Sequence, residues 1–188
     1  MNSVPDEMKT QEQSHRLPTW VVGLAFAGLV AFLVLVGLGL RRAQSGPITV
    51  GQKVPGFSVT TFDGETINTA DLAGKVIVVN FWASWCKPCE QEAFELESAY
   101  QYYKPGGEVF FLGVDYVDTE PEALGFINKF GLTYANGPDL RTKVSQMFRI
   151  QGVPETYIID REGKLAYVKK GPFLSTAEIL NVIDQVLQ

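Results

Sequence analysis

A nine-residue, mostly apolar run leads into the only two cysteines of the chain. Residues 75–83, "KVIVVNFWA", are rich in β-branched side chains. This pattern is typical of a strand buried on both faces, as in a parallel sheet covered by helices. Cys86 and Cys89 follow directly, and Pro88 stands where the first turn of a helix tolerates a missing N–H. The sequence therefore predicts a strand-to-helix junction that carries a C-x-x-C pair.

The remaining elements are predicted from turn residues and hydrophobic periodicity. Asp63 and Gly64 predict a hairpin turn between two short strands, residues 58–61 and 65–68. The other predicted elements are helix 90–103, strand 109–114, helices 119–130 and 139–148, strands 156–159 and 165–169, and a last helix capped by Ser175. This order predicts an α/β fold, in which a mixed sheet with a parallel part and antiparallel edge strands is sandwiched by helices.

An uncharged segment of 21 residues, from Trp20 to Leu40, precedes this domain. At about 1.5 Å per residue it spans roughly 30 Å, the thickness of the hydrocarbon core of a bilayer. The predicted organisation is a polar tail (1–18), a transmembrane anchor (19–40), a linker (41–47) and one domain (48–188). A buried core helix is disfavoured because every face of the segment is apolar.

A cleavable signal peptide is the stronger alternative, since residues 43–45 offer a small-x-small site. The apolar segment is longer than the 7–15 residues usual for a signal peptide, which favours an uncleaved anchor. Basic residues lie on both sides of the segment, at Lys9, Arg16, Arg41 and Arg42. This charge distribution leaves open which side of the membrane the domain occupies.

Composition excludes several classes of function. From Gly46 onward, 12 Lys and Arg stand against 18 Asp and Glu, so the domain is a poor nucleic-acid binder. The single histidine, His15, lies in the tail, which argues against a zinc site or a Cys–His nucleophile in the domain. We expect no metal and no cofactor beyond a redox-active Cys86–Cys89 disulfide, and a monomeric protein.

The position of the cysteines favours redox chemistry. At the start of a helix, unpaired N–H groups and the helix dipole stabilise a thiolate at Cys86, and thiolate is the attacking species. Cys89 lies one turn further on, within disulfide range, and is expected to be the more buried, resolving thiol. Lys87 adds a positive charge. The alternatives are a structural disulfide, half of a zinc site, or two unrelated thiols.

Two stretches carry a family resemblance. "NFWASWCKPC" (80–89) and "GVPETYIID" (152–160) resemble the thioredoxin superfamily. Together with residues 50–86 and the anchor, they are most similar to its TlpA/ResA/CcmG-like branch of membrane-anchored thiol–disulfide oxidoreductases, which carry a redoxin (AhpC-TSA-like) domain. The resemblance implies that Cys86 is the nucleophile, Cys89 the resolving cysteine and Pro154 a cis-proline beside them.

Further site residues are implied by the same resemblance. Val153 would pair its backbone with an extended substrate, and Trp85, Lys87 and Pro88 would border the bound peptide. Glu92 and Glu155 match acidic positions near the dithiol, where a carboxylate raises the pKa of a thiol and relays protons. The alternative for each glutamate is a solvated surface charge, and for Pro154 an ordinary trans turn.

One residue departs from thioredoxin itself. Asn80 stands where thioredoxin has a buried Asp, so a titrating carboxylate would have to come from Glu92 or Glu155. The branch implies extracytoplasmic reduction of protein disulfides, such as those of apocytochrome c, with a membrane electron donor of the CcdA/DsbD kind. A peroxiredoxin-like peroxidase is the alternative enzyme, although Ala83 occupies the position where it needs Thr or Ser. An anchored chaperone or scaffold is the non-enzymatic alternative.

Overall fold

The computed structural model describes residues 18–43 and 46–188, in two separate units divided after Gly46. The first unit contains helix α1 (Thr19–Ala43). Its segment Thr19–Gly39 is long and apolar enough to cross a membrane, and none of it is buried. Residues 1–17 of the predicted tail and residues 44–45 of the predicted linker lie outside the described residues.

The second unit, Pro47–Gln188, is built around a five-stranded sheet. Its elements are β1 (Ser58–Thr60), β2 (Thr66–Asn68), β3 (Val76–Trp82), α2 (Lys87–Tyr103), β4 (Val109–Asp115), α3 (Glu120–Phe130), β5 (Ala135–Pro138), α4 (Lys143–Phe148), β6 (Glu155–Ile159), β7 (Leu165–Lys170) and α5 (Thr176–Leu187). The strand order is β5-β4-β3-β6-β7. Strands β3, β4 and β5 are parallel to one another, β6 is antiparallel to β3, and β7 is antiparallel to β6. The predicted mixed α/β fold is confirmed.

Three details differ from the sequence-based expectation. Strand β5 was not predicted, because its sequence Ala-Asn-Gly-Pro is typical of a loop. Strand β6 lies inside the sheet, between β3 and β7, so only β7 is an antiparallel edge strand. The helix predicted from Asp139 begins at Lys143, after a short 3₁₀ turn. Arg141 and Thr142 in that stretch have positive φ angles, which interrupt a regular helix.

Strand β3 is buried along its whole length because the core fills both faces of the sheet. Successive side chains of a strand point to opposite faces. One set packs with α2, α3 and α5 (Val76, Val78, Trp82, Leu96, Phe126, Ile158, Ile179, Ile183). The other set packs with α4 and the β1–β2 hairpin (Val59, Ile77, Val79, Phe81, Phe148, Tyr157). The carboxyl end of β3 is therefore a firmly held starting point for the loop that follows it.

The segment before β3 lies along both edges of the sheet. Gly51 N–H donates to Leu165 O at 2.8 Å, and Leu165 N–H donates to Gln52 O at 2.8 Å, at the β7 edge. At the β5 edge, Phe62 N–H donates to Asn136 O at 3.0 Å. Gly137 approaches the hairpin so closely that a Cβ there would lie 2.5 Å from the carbonyl oxygen of Thr60.

Candidate active site

The two cysteines form a disulfide across the first turn of α2. Cys86 is the N-cap of the helix, and the sulfurs of Cys86 and Cys89 are 2.04 Å apart. The N–H of Cys89 donates to Cys86 Sγ at 3.1 Å, and the N–H of Cys86 donates to Ala83 O at 3.1 Å. Cys86 is 4% exposed and Cys89 is 1% exposed. An amide of the first helical turn thus contacts the Cys86 sulfur, which is the arrangement that stabilises a thiolate after reduction.

The other two residues of the first turn face solvent. Lys87 and Pro88 are exposed, and Pro88 occupies the opening of the helix where it removes no helical hydrogen bond. The Lys87 ammonium lies 3.1 Å from the carboxylate of Glu90, which also pairs with Lys129 at 3.2 Å. Because Lys87 is exposed and already paired, its charge contributes little to the ionisation of Cys86.

Pro154 lies at the same end of the sheet as the disulfide. The Val153–Pro154 peptide bond is cis. Glu155 pairs with Phe81, one residue before the end of β3, so Pro154 is at the level where β3 leads towards Cys86. Val153 is half-buried and packs against the cluster that contains both cysteines. Within residues 46–188 the Val153 backbone makes no hydrogen bond, which leaves it open to an extended peptide.

Glu92 is buried, so a solvated surface charge is excluded. It is 1% exposed and accepts hydrogen bonds from Asn80 Nδ2 at 2.7 Å and Phe173 N–H at 2.9 Å. Burial raises the pKa of Glu92 to about 7, and the two hydrogen bonds oppose this rise. Since residues three apart in a helix share a face, Glu92 follows Cys89 on the buried side of α2. The chain thus holds a carboxyl group that titrates near neutrality one helical turn after Cys89.

Glu155 is also buried, at 3% exposed, but it belongs to the other face of the sheet. It accepts hydrogen bonds from Gln151 N–H at 2.9 Å and from the Tyr157 hydroxyl at 2.6 Å. Tyr157 packs in the α4-side cluster, whereas Thr156 bonds to Asn80 and points to the side of Glu92. The structure therefore does not bring Glu155 together with Glu92. Its contacts hold the loop that leads into Pro154.

The two tryptophans that flank the loop have different environments. Trp85 is 59% exposed, at the rim of the site, and its Nε1–H donates to Val117 O at 3.3 Å. Trp82 is buried, stacks on Phe126 at 4.7 Å between ring centroids, and donates to Asn136 Oδ1 at 3.0 Å. Trp82 thus anchors the end of β3 and Trp85 faces the solvent beside Cys86.

Two acidic residues near the site were not predicted. Asp118, after β4, accepts hydrogen bonds from the Ser84 N–H at 2.6 Å and the Ser84 hydroxyl at 2.8 Å. Asp115, at the end of β4, is 2% exposed and its Oδ1 has no hydrogen-bond partner. Burial, the charge of Asp118 and a side-chain hydrogen bond with Asp118 together raise the pKa of Asp115 to about 8. Their position after β4 could have indicated them, because the parallel strands β3 and β4 end at the same edge of the sheet.

The chemistry of the site is therefore that of its sulfur atoms. Among the described residues, no group of three or more His, Cys, Asp or Glu side chains could hold a metal ion. Cys89 and the titratable Glu92 are both buried residues of α2, and the Cys89 amide contacts Cys86 Sγ. Such an arrangement exchanges disulfide bonds with an external thiol or disulfide.

Comparisons with known proteins agree with this chemistry. Residues 50–168 match the AhpC/TSA family. The chain is 31% identical over 145 residues to the thiol-disulfide oxidoreductase ResA of Bacillus thuringiensis (strain Al Hakam), covering 77% of this chain and 82% of the relative. It is 32% identical over 146 residues to ResA of Geobacillus kaustophilus (strain HTA426), covering 76% and 83%.

Solved structures show the same architecture. A thiol:disulfide interchange protein of the thioredoxin family from Chlorobium tepidum TLS superimposes with a TM-score of 0.67 at 26% identity, covering 77% of this chain and 99% of that one. The structure of MTB dsbF superimposes with a TM-score of 0.64 at 28% identity, covering 69% and 94%. The chain therefore belongs to the AhpC/TSA family and is a thioredoxin-like thiol–disulfide oxidoreductase of the ResA type.

Proposed function

We propose that this enzyme is anchored in the membrane by the Thr19–Gly39 segment of α1 and reduces disulfides of exported proteins on the extracytoplasmic side, apocytochrome c foremost. The observation that carries the proposal is the Cys86–Cys89 disulfide at the amide-rich start of α2, next to the unbonded Val153 backbone. The apolar helix and the ResA relatives support anchoring and the thiol–disulfide activity.

The reaction starts from the dithiol form of the enzyme. The Cys86 thiolate attacks one sulfur of the partner disulfide, forming a Cys86–partner bond while the other partner sulfur leaves as a thiolate. Cys89 then loses its proton and attacks Cys86 Sγ. The mixed disulfide breaks, the partner leaves with both sulfurs reduced, and the enzyme holds the Cys86–Cys89 disulfide. Two electrons have moved from the enzyme to the partner.

Glu92 is the proposed acceptor of the Cys89 proton. A base works best when its pKa lies near the working pH, and burial raises the pKa of Glu92 to about 7. Its two donors, Asn80 Nδ2 and Phe173 N–H, keep the carboxylate oriented once it is ionised. In the absence of a buried Asp at position 80, Glu92 is the group that fits this role.

The substrate segment is expected to bind as an extended strand along Val153. Backbone pairing at this residue places a partner disulfide against Cys86 without demanding a particular sequence. Trp85 offers an exposed aromatic face at the rim, and Lys87 and Pro88 border the same opening. This mode suits an enzyme that acts on unfolded chains. A membrane electron donor of the CcdA/DsbD kind would return the disulfide to the dithiol state.

Trapping tests the proposal directly. In cells that express Cys89→Ala, Cys86 should accumulate in mixed disulfides with its true partners, and apocytochrome c should be among them. The matched control, Cys86→Ala, should trap none. Exported partners other than apocytochrome c would correct the substrate, and no Cys86-linked adduct at all would contradict the mechanism.

Labelling and activity assays test the remaining alternatives. A membrane-impermeant maleimide should label reduced Cys86 in intact cells if the domain is extracytoplasmic, and protection until lysis would place it in the cytosol. Consumption of hydrogen peroxide with a thiol donor would favour the peroxidase. Unchanged activity of Cys86→Ala in cells would favour the scaffold.

A further inference from the structure

Asp118 holds the turn that delivers Cys86 to the helix. Both oxygens of its carboxylate are occupied by Ser84: Oδ2 accepts the N–H at 2.6 Å and Oδ1 accepts the hydroxyl at 2.8 Å. Ser84 lies inside the tight turn that is closed by the Cys86 N–H and Ala83 O. One carboxylate on a different loop thus takes both donors of the residue two positions before the reactive sulfur.

A second contact joins the same two loops. Val117, the residue before Asp118, accepts the Trp85 Nε1–H at 3.3 Å. Val117 has a φ of 52°, a left-handed conformation that a β-branched residue adopts only at a cost. The strained backbone of the loop after β4 therefore lies at Val117, whose carbonyl accepts from Trp85, directly before Asp118, whose side chain binds Ser84. Such strain persists only where surrounding contacts over-determine it.

Besides Ser84, the Asp118 side chain has a hydrogen bond with the side chain of Asp115. Its acidic neighbour Asp115 has a pKa raised to about 8, so at pH 7 Asp115 is mostly protonated and does not add a second negative charge. The next carboxylate at this edge, Asp139, is turned to the N–H groups of Val144 and Ser145 at 2.9 and 2.7 Å. Asp118, in the loop after β4, is consequently the carboxylate that binds the turn before Cys86.

We propose that Asp118 is a positioning residue for the thiol–disulfide reaction: by binding Ser84 it fixes the turn at which Cys86 enters α2, and so keeps the Cys86 sulfur within reach of the Cys89 amide. The observed 3.1 Å contact from Cys89 N–H to Cys86 Sγ is the interaction that it maintains. This proposal concerns the reactive sulfur itself and holds for any protein substrate.

Positioning and simple charge make opposite predictions for Cys86. A carboxylate near a thiol disfavours the thiolate, so removal of the charge alone would make Cys86 ionise at lower pH. If Asp118 holds the turn, its removal loosens the contact between Cys86 Sγ and the helix amides, and Cys86 ionises at higher pH. The direction of the change therefore distinguishes the two effects. A merely structural role would leave the pH at which Cys86 ionises unchanged.

The experiment measures the pH midpoint of Cys86 alkylation by iodoacetamide. It uses the full-length chain in detergent micelles with Cys89→Ala, which leaves one thiol and keeps the Cys89 amide. For Asp118→Asn we expect an upward midpoint shift that lowers the ionised fraction at a fixed acidic pH about tenfold, the worth of one charged hydrogen bond. Ser84→Ala loses only the hydroxyl bond and should lower that fraction about threefold.

Asp139→Asn is the matched control. Asp139 is an aspartate at the same edge of the sheet that also accepts two donors, but its partners are in α4. It should lower the urea midpoint of unfolding without moving the alkylation midpoint. If Asp118→Asn does not fold, Ser84→Ala carries the test alone. A lower or unchanged alkylation midpoint in Asp118→Asn, or in Ser84→Ala where it stands alone, overturns the proposal. An equal rise of the alkylation midpoint in Asp139→Asn also overturns the proposal.

Discussion

The buried carboxyl group of Glu92 should make the stability of the oxidised protein depend on pH. In the folded protein its pKa is raised from 4.5 to about 7. The folded state therefore binds this proton more tightly than the unfolded chain. Its contribution to stability is complete below about pH 4.5 and is lost as the pH rises towards 7. Glu92→Gln removes the titrating group, so this loss should disappear in the variant.

The size of the effect follows from the two pKa values. A difference of one pH unit corresponds to about 1.4 kcal/mol, so the rise from 4.5 to about 7 corresponds to about 3 kcal/mol. Against this, Gln has one acceptor oxygen for the two donors Asn80 Nδ2 and Phe173 N–H, and an unpaired buried donor costs about 1–3 kcal/mol. Glu92→Gln should be less stable than the parent at pH 5, and as stable or more stable at pH 8.

Urea unfolding of the oxidised full-length protein in detergent, followed by tryptophan fluorescence at pH 5 and pH 8, measures this difference. The control is Glu95→Gln, on the same helix, where the half-buried carboxylate accepts the Thr176 N–H at 2.6 Å. The parent should lose about 2.5 kcal/mol more than Glu92→Gln between the two pH values. If both proteins lose the same amount, the pKa of Glu92 is not raised and its assignment as proton acceptor fails.

Two further substitutions test the surroundings of the site. Gly113→Ala would place a Cβ 1.8 Å from Asn136 Oδ1 and 2.8 Å from Trp82 Nε1, so we expect a loss of about 1–3 kcal/mol in urea unfolding; an unchanged midpoint would contradict the close packing. Asn80→Asp would remove the donor 2.7 Å from Glu92 Oε1 and add a second acid, so it should destabilise the protein more at pH 8 than at pH 5. Equal losses at both pH values would refute that interaction.

Most of the fold could be predicted because local signals agreed with tertiary structure. The buried strand before Cys86, the Asp63–Gly64 turn and the Ser175 cap each use a residue type whose local preference decides the conformation. Strand β5 could not be predicted, because Asn136, Gly137 and Pro138 have little intrinsic preference for a strand. These residues form a strand because they pair with β4 and the β1–β2 hairpin lies close against them.

The site was predictable where motif spacing carries the chemistry and less so where packing does. The spacing of Cys86 and Cys89 and the conformation at Pro154 could be read from the sequence. Glu92 and Glu155 looked equivalent, and only the alternation of side chains along β6 separates their faces of the sheet. Asp118 was missed because its partner, Ser84, is 34 residues away in sequence.

The segment that lies along both edges of the sheet bears on how this protein avoids self-association. Unpaired strand edges recruit other extended chains. Residues 51–54 engage the outer strand on one side and Phe62 engages β5 on the other. These contacts occupy backbone groups at the Leu165 end of β7 and at β5, so fewer groups are left there to pair with a strand of another molecule.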